Sequence, residues 1–239
     1  MPGKSSDASR SMSWFQLDPS TLACRVRSDG GESESLPSLG ASIWRGIVGF
    51  TVVSVAGFAP WAVFGRWLFN NVGEGGVYGL CAVVFIILSG LLLHRLILGP
   101  GSLLAFYKLF SVTFAAYSAA WIAGWMGLGG HPGSVLGLFA GAVVMGWMLT
   151  RAFDAQGVLL KVIVVIFVLN ALGYFGGSWI EGHVSALDGL GMTKATQSVV
   201  AKLLWGVSYG IGFGAALGWA FHLCQRDARE MIQAEVQHL

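Results

Sequence analysis

His131 and Ser134, in the stretch GGHPGSVLGLFAGA at 129–142, are a base and a nucleophile three residues apart, a spacing that puts two side chains on one helical face. Acyl transfer through such a pair needs the base within about 3 Å of the hydroxyl. Pro132 stands between them; it biases His131 away from helical backbone and suits a first helical turn, where its missing N–H costs nothing. Ser134 then bonds a backbone group in that turn, and the local preferences favour helix initiation over catalysis.

Two other chemistries are open to the remaining polar residues. His94 and His222 fall at one set of expected helix ends and His131 and His183 at the other, the layout two haem groups with paired axial ligands would use. Such ligands sit deeper in a bundle, so no cofactor and no metal are expected. Asn170 is the most central polar residue, and a transport site would draw on Asn170, Tyr174, Ser208 and Tyr209. No buried acid and base pair of the kind a proton-coupled carrier uses accompanies them.

The elements that must position these groups are membrane helices. Hydrophobic residues make up 55% of the chain and charged residues 11%. Globular domains carry about 25% charged residues. Six windows reach the roughly 20 apolar residues that cross a hydrocarbon core. They are 44–69, 77–98, 102–127, 132–150, 158–179 and 203–223. The runs are unbroken, where a β-barrel needs alternation. The expected class is all-α, a polytopic protein of six transmembrane helices with the lipid bilayer as its first partner.

Basic residues near helix ends stay cytoplasmic. With the N-terminus inside, the inner ends collect Arg45, Arg95, Lys108, Arg151, Lys161, Arg226 and Arg229, and the outer side Arg66, Lys194 and Lys202. Both termini are therefore expected to be cytoplasmic, in an inner membrane. The net charge of +2 is then a topology signal and gives no reason to expect nucleic acid. Cys24 and Cys224 fall on the reducing side and Cys81 inside the second helix, so no disulfide framework is expected.

Outside the windows, 1–43 reads as a polar, mostly disordered tail, within which SWFQLDPSTLACRVR is more apolar. The six-helix domain fills 44–223, and 224–239 reads as a short amphipathic helix with Met231, Ile232, Val236 and Leu239 as its apolar positions. The segment 180–202 is expected to be the longest outer loop.

Glycine is the main internal signal, with 35 in 239 residues. In the fourth helix they fall at Gly129, Gly133, Gly137 and Gly141, and in the sixth at Gly206, Gly210, Gly214 and Gly218. A spacing of four makes a gently slanting groove that lets backbones approach, the main driving geometry where there is no hydrophobic effect between helices. Helices four and six are expected to pack tightly, against each other or, on the plainer reading, each against a different neighbour.

These registers resemble the rhomboid intramembrane proteases. GHPGSVLGL at 130–138 is similar to the start of the rhomboid fourth helix, with Gly130, Gly133 and Gly137 matching and Pro132 at the position of the nucleophile. WGVSYGIGFGAALG at 205–218 is similar to the sixth helix, with Trp205, Gly206, Gly210, Gly214 and Gly218 matching and Val207 at the position of the base. GSLLAFY at 101–107 looks like the opening of the third helix. Cys81 and Phe85 stand where the oxyanion-stabilising His and Asn would be, and only 70–76 separates the first two helices. The resemblance implies a rhomboid-like bundle without catalysis, a pseudoprotease that recognises other transmembrane proteins through its glycine-faced helices.

Overall fold

The computed structural model describes residues 15–28, 36–187 and 191–236, the side chains of Glu74 and Val236 excepted. The helices are α1 (Pro19–Ser28), α2 (Leu39–Leu93), α3 (Ser102–Leu128), α4 (Gly130–Ala152), α5 (Leu159–Ala186), α6 (Lys194–Cys224) and α7 (Arg226–Val236). Among the described residues there is no strand, and six helical segments are long and apolar enough to cross a membrane.

Two of those segments are built on the arms of α2, Leu39–Gly73 and, with the 3-10 turn at His94–Leu96 that follows the helix, Gly75–Leu96. One residue separates them. Gly73 takes φ 71° and ψ 174°, open to glycine alone at little cost, and the chain doubles back there. Gly49 then lies against Leu93, Gly57 against the Phe85 ring, and Leu68, Val77 and Cys81 pack beside Trp61 near the tip. The expected loop at 70–76 is therefore helix up to the reversal.

Each successive span runs antiparallel to the one before it. Tyr107 of α3 reaches back to the second arm of α2, where its hydroxyl donates to the Ile87 carbonyl at 2.7 Å. Gly137 of α4 meets the Trp121 backbone of α3, Gly146 of α4 meets Ile163 of α5, and Gly173 of α5 meets Gly212 of α6. α6 closes the ring on the first arm of α2, where Ser54 Oγ donates to the Gly206 carbonyl at 2.7 Å.

The two glycine faces do not pack on each other. Gly133, Gly137 and Gly141 face Gly124, Trp121 and Tyr117 of α3, whereas Gly206, Gly210, Gly214 and Gly218 face Ser54, Thr51, Gly46 and Ser42 of α2. Direct contact between α4 and α6 is slight. The reason is complementarity: the first arm of α2 carries its own small residues at Ser42, Gly46 and Ser54, so its backbone can approach α6 more closely than α4 can. Gly129 is not part of the α4 face. A Cβ there would meet nothing within 4 Å, and its φ of 63° serves the one-residue break between α3 and α4.

The tails form a cap at one end of the bundle, here termed the tail side. Asp18 caps α1, accepting the Thr21 amide at 3.0 Å and the Ser20 and Thr21 hydroxyls at 2.6 and 2.7 Å. Phe15, Leu17, Leu22 and Ala23 are buried, and α1 lies against α7 and against Gly99. This ordered piece departs from the expected disordered tail; 1–14 and 29–35 lie outside the described residues. The apolar face expected on α7 is displaced as well: Ala228 and Arg229 are buried while Met231 is exposed, and Leu239 lies outside the described residues.

The 180–202 segment is mostly helix, because α5 continues to Ala186 and α6 begins at Lys194. Gln197 binds the two together, donating to the carbonyls of Val184 and Leu187 at 2.5 and 2.6 Å.

Candidate functional site

The centre of the ring is filled by rings. On α6 the residues one position before the four glycines of the stripe are Trp205, Tyr209, Phe213 and Leu217, with Phe221 continuing the row. One residue is a 100° turn, so α6 presents glycine to α2 and aromatic side chains to the centre. α3 answers with Phe106, Phe110, Phe114, Tyr117, Trp121 and Trp125 at steps of three or four. The rows meet across the middle: Phe106 stacks on Phe221 at 5.6 Å, and Tyr117 lies 5.2 Å from Phe213. Phe50, Phe58 and Phe85 of α2 complete the fill, with Phe50 edge-on to Phe213 at 4.9 Å. Centroid separations of this size are the favourable range for aromatic pairs.

A polar band crosses this column toward the end opposite the tails. Asn170 is fully buried and its amide donates to the Tyr117 hydroxyl at 2.5 Å. The Tyr209 hydroxyl bonds the same Tyr117 oxygen, which joins α3, α5 and α6. Tyr174 pairs with Ser134 of α4 at 3.3 Å and packs edge-on against Trp205 at 5.6 Å. Ser208 donates to the Gly173 carbonyl at 3.0 Å. Asn170, Tyr174, Ser208 and Tyr209 thus share one band, but each hydroxyl is spent on a neighbour. Among the described residues, Asn170 Oδ1 and Trp121 Nε1, both buried, have no hydrogen-bond partner.

Ser134 and His131, the groups singled out in the sequence, are turned to different partners. Ser134 donates to the Gly130 carbonyl at 3.1 Å, as a first-turn residue does, and His131 turns to the Phe175 ring at 6.0 Å. Pro132 is exposed at a groove between α4 and α5, and Val207 is half-buried on α6. Among the described residues the histidines do not pair across the bundle. His94 bonds Gly90 and Leu91 carbonyls of its own helix, His183 the Trp179 carbonyl, and His222 the Ser42 hydroxyl. Among the described residues no group of three or more His, Cys, Asp or Glu side chains is arranged to hold a metal.

The strongest polar anchors lie at the tail-side cap. Gln225 is buried; its Nε2 donates to the Leu96 and Phe221 carbonyls, and its Oε1 accepts the Leu98 amide, all at 2.8 Å. Arg229 donates to the Pro37 carbonyl at 2.7 Å, and its burial pulls the guanidinium down to about 10, still charged at neutral pH. Partial burial pushes the Asp18 carboxyl up, but the hydrogen bonds from Ser20 and Thr21 outweigh it and hold the group below its ordinary value. Gln225 and Tyr117 escaped sequence reasoning. A lone Gln between two helices carries no periodic signal; the aromatic steps of α3 and α6 do, and would have pointed to Tyr117.

No family model matches the chain, and no curated protein or solved structure matches it either.

Proposed function

We propose that this multi-pass protein works without catalysis, by associating with other membrane proteins through the outward faces of its helices, with both tails on the cytoplasmic side of an inner membrane. The observation that carries this reading is the filled centre. Aromatic side chains occupy the space a substrate path would need, and the hydroxyls and amide of the polar band are mostly committed to one another. What the molecule offers outward is apolar: Phe64, Trp67, Leu172 and Trp179 are each more than half exposed. The glycine faces are occupied within the chain, so they hold the bundle together and are not the binding surface. A rhomboid-like relationship keeps its support in the two sequence registers, with Pro132 and Val207 at the positions of nucleophile and base; the packing of α4 and α6 lends it none.

The test is photocrosslinking in native membranes from a reactive residue placed at Phe64, Leu172 or Trp179. One discrete protein adduct from an outward position, with none from a buried position such as Phe213, is the expected result. Lipid adducts alone at every outward position would sink the reading.

One observation favours a second reading, a carrier of a small polar solute: Asn170 Oδ1 and Trp121 Nε1 are an acceptor and a donor buried without partners. Flux through proteoliposomes that Asn170→Leu abolishes would select it.

A further inference from the structure

Two of the grooves on the outer surface of the described residues differ in charge. The one between α4 and α5 is lined by apolar side chains with His131 at its end. The other, of about 440 Å³, lies between the start of α5 and the end of α6 and is lined by Leu160, Val164, Val165, Trp219 and Leu223 with Lys161 among them. No ion pair engages Lys161 among the described residues. Side chains on a helix lean toward its N-terminus, and α5 starts on the tail side, so the Lys161 ammonium is carried to headgroup level while its stem stays on apolar surface. Trp219 faces the same groove, one and a half turns before α6 ends at Cys224.

We propose that this groove is a binding site for one anionic phospholipid, its phosphate on Lys161 and an acyl chain along Val164, Val165 and Trp219. The charge is what selects the occupant. A zwitterionic lipid fills the apolar part equally well but brings its own cation to Lys161. The bilayer supplies the ligand from the side, so no entry path through the bundle is needed.

The experiment uses the full chain purified in mild detergent, with lipid retention read by native mass spectrometry against phosphatidylglycerol and phosphatidylcholine. Wild-type protein retains phosphatidylglycerol preferentially. Lys161→Gln lowers that preference by about fivefold, the factor that ~1 kcal/mol per cation beside anionic lipid produces, and leaves phosphatidylcholine retention unchanged. Val164→Phe, which narrows the groove at a membrane-facing position, lowers retention of both lipids. Arg151→Gln, removing an exposed cation at the tail-side end of α4, leaves the preference as it is. Equal retention of the two lipids by the wild type, an unchanged preference in Lys161→Gln, unchanged retention of both lipids in Val164→Phe, or an equal loss in Arg151→Gln would each overturn the proposal.

Discussion

The glycine stripes of α4 and α6 share a spacing of four and meet opposite kinds of surface. α6 lies on the backbone of the first arm of α2, with Gly214 against Gly46 and Gly218 against Ser42, so two small-residue faces close on each other. α4 lies on a helix whose facing residues are Trp121, Tyr117 and Gly124, so α3 sets one small residue beside two large ones in that seam. At the first seam an added methyl meets main-chain atoms that cannot step aside. At the second, Gly133 and Gly137 meet backbone in the same way, whereas Gly141 meets the Tyr117 ring, and there part of the contact can relax. Glycine spacing therefore marks a close approach, and the opposing helix decides how much each glycine matters.

The sharpest way to break the comparison is to add one carbon to each seam. Gly214→Ala places its Cβ against the Gly46 carbonyl, and the loss expected is about 3 kcal/mol, the upper end for overpacking. Thermal unfolding in detergent, followed by circular dichroism, measures it. Gly141→Ala meets the Tyr117 ring at 2.6 Å, and since that ring can shift the loss is smaller, about 1.5 kcal/mol. If Gly141→Ala proves the more damaging of the two, the distinction between the seams is wrong.

The cap offers a sharper version, because it is built on the α2 and α6 ends. Asp18→Ala removes the α1 cap and weakens docking of that helix by about 1 kcal/mol. Hydrogen exchange should rise in α1 and at the tail-side ends of α2 and α6 while the α3–α4 seam stays protected. Acid acts in the same direction. The folded carboxyl titrates below its unfolded value of 3.8, so its contribution is present above that value and is lost as pH falls through the lower one. Protection of α1 therefore persists through pH 5 and fails only in stronger acid.

The smallest effect has the opposite sign. A Cβ on Gly127 would meet nothing within 4 Å, so Gly127→Ala lies outside both seams and should stabilise by about 0.5 kcal/mol through helix propensity alone. A marked loss there would mean that helix ends in this bundle are held by contacts other than the two seams.

Six spans and their glycine faces were legible because hydropathy and spacing are local properties of a helix. Partner choice was not local. Nothing in GHPGSVLGLFAGA tells α4 to choose Tyr117 and Trp121; that follows from where α3 must lie after the one-residue break at Gly129. Ser42, Gly46 and Ser54 could have been read as a small-residue face on the first helix, and with the α6 stripe they would have predicted the closing seam. The docked segment 15–28 was hidden for another reason. Its few apolar residues are too sparse to show a period, and they are buried because Phe15, Leu17 and Leu22 join the main core, with α7 alongside. Asn170 was found from depth alone, whereas its partner Tyr117 was masked among aromatic residues that read as core.

The seam between α2 and α6 also sets the order of assembly. Ser54 and Gly206 are 152 residues apart, and among the described residues it is α6 that covers the small-residue face of the first span. At a synthesis rate of about 5–20 residues per second, the newborn first hairpin waits on the order of 10 s before its partner emerges. During that interval the groove stands open to the bilayer, and whatever escorts the nascent chain must shield Gly46 until Gly214 arrives.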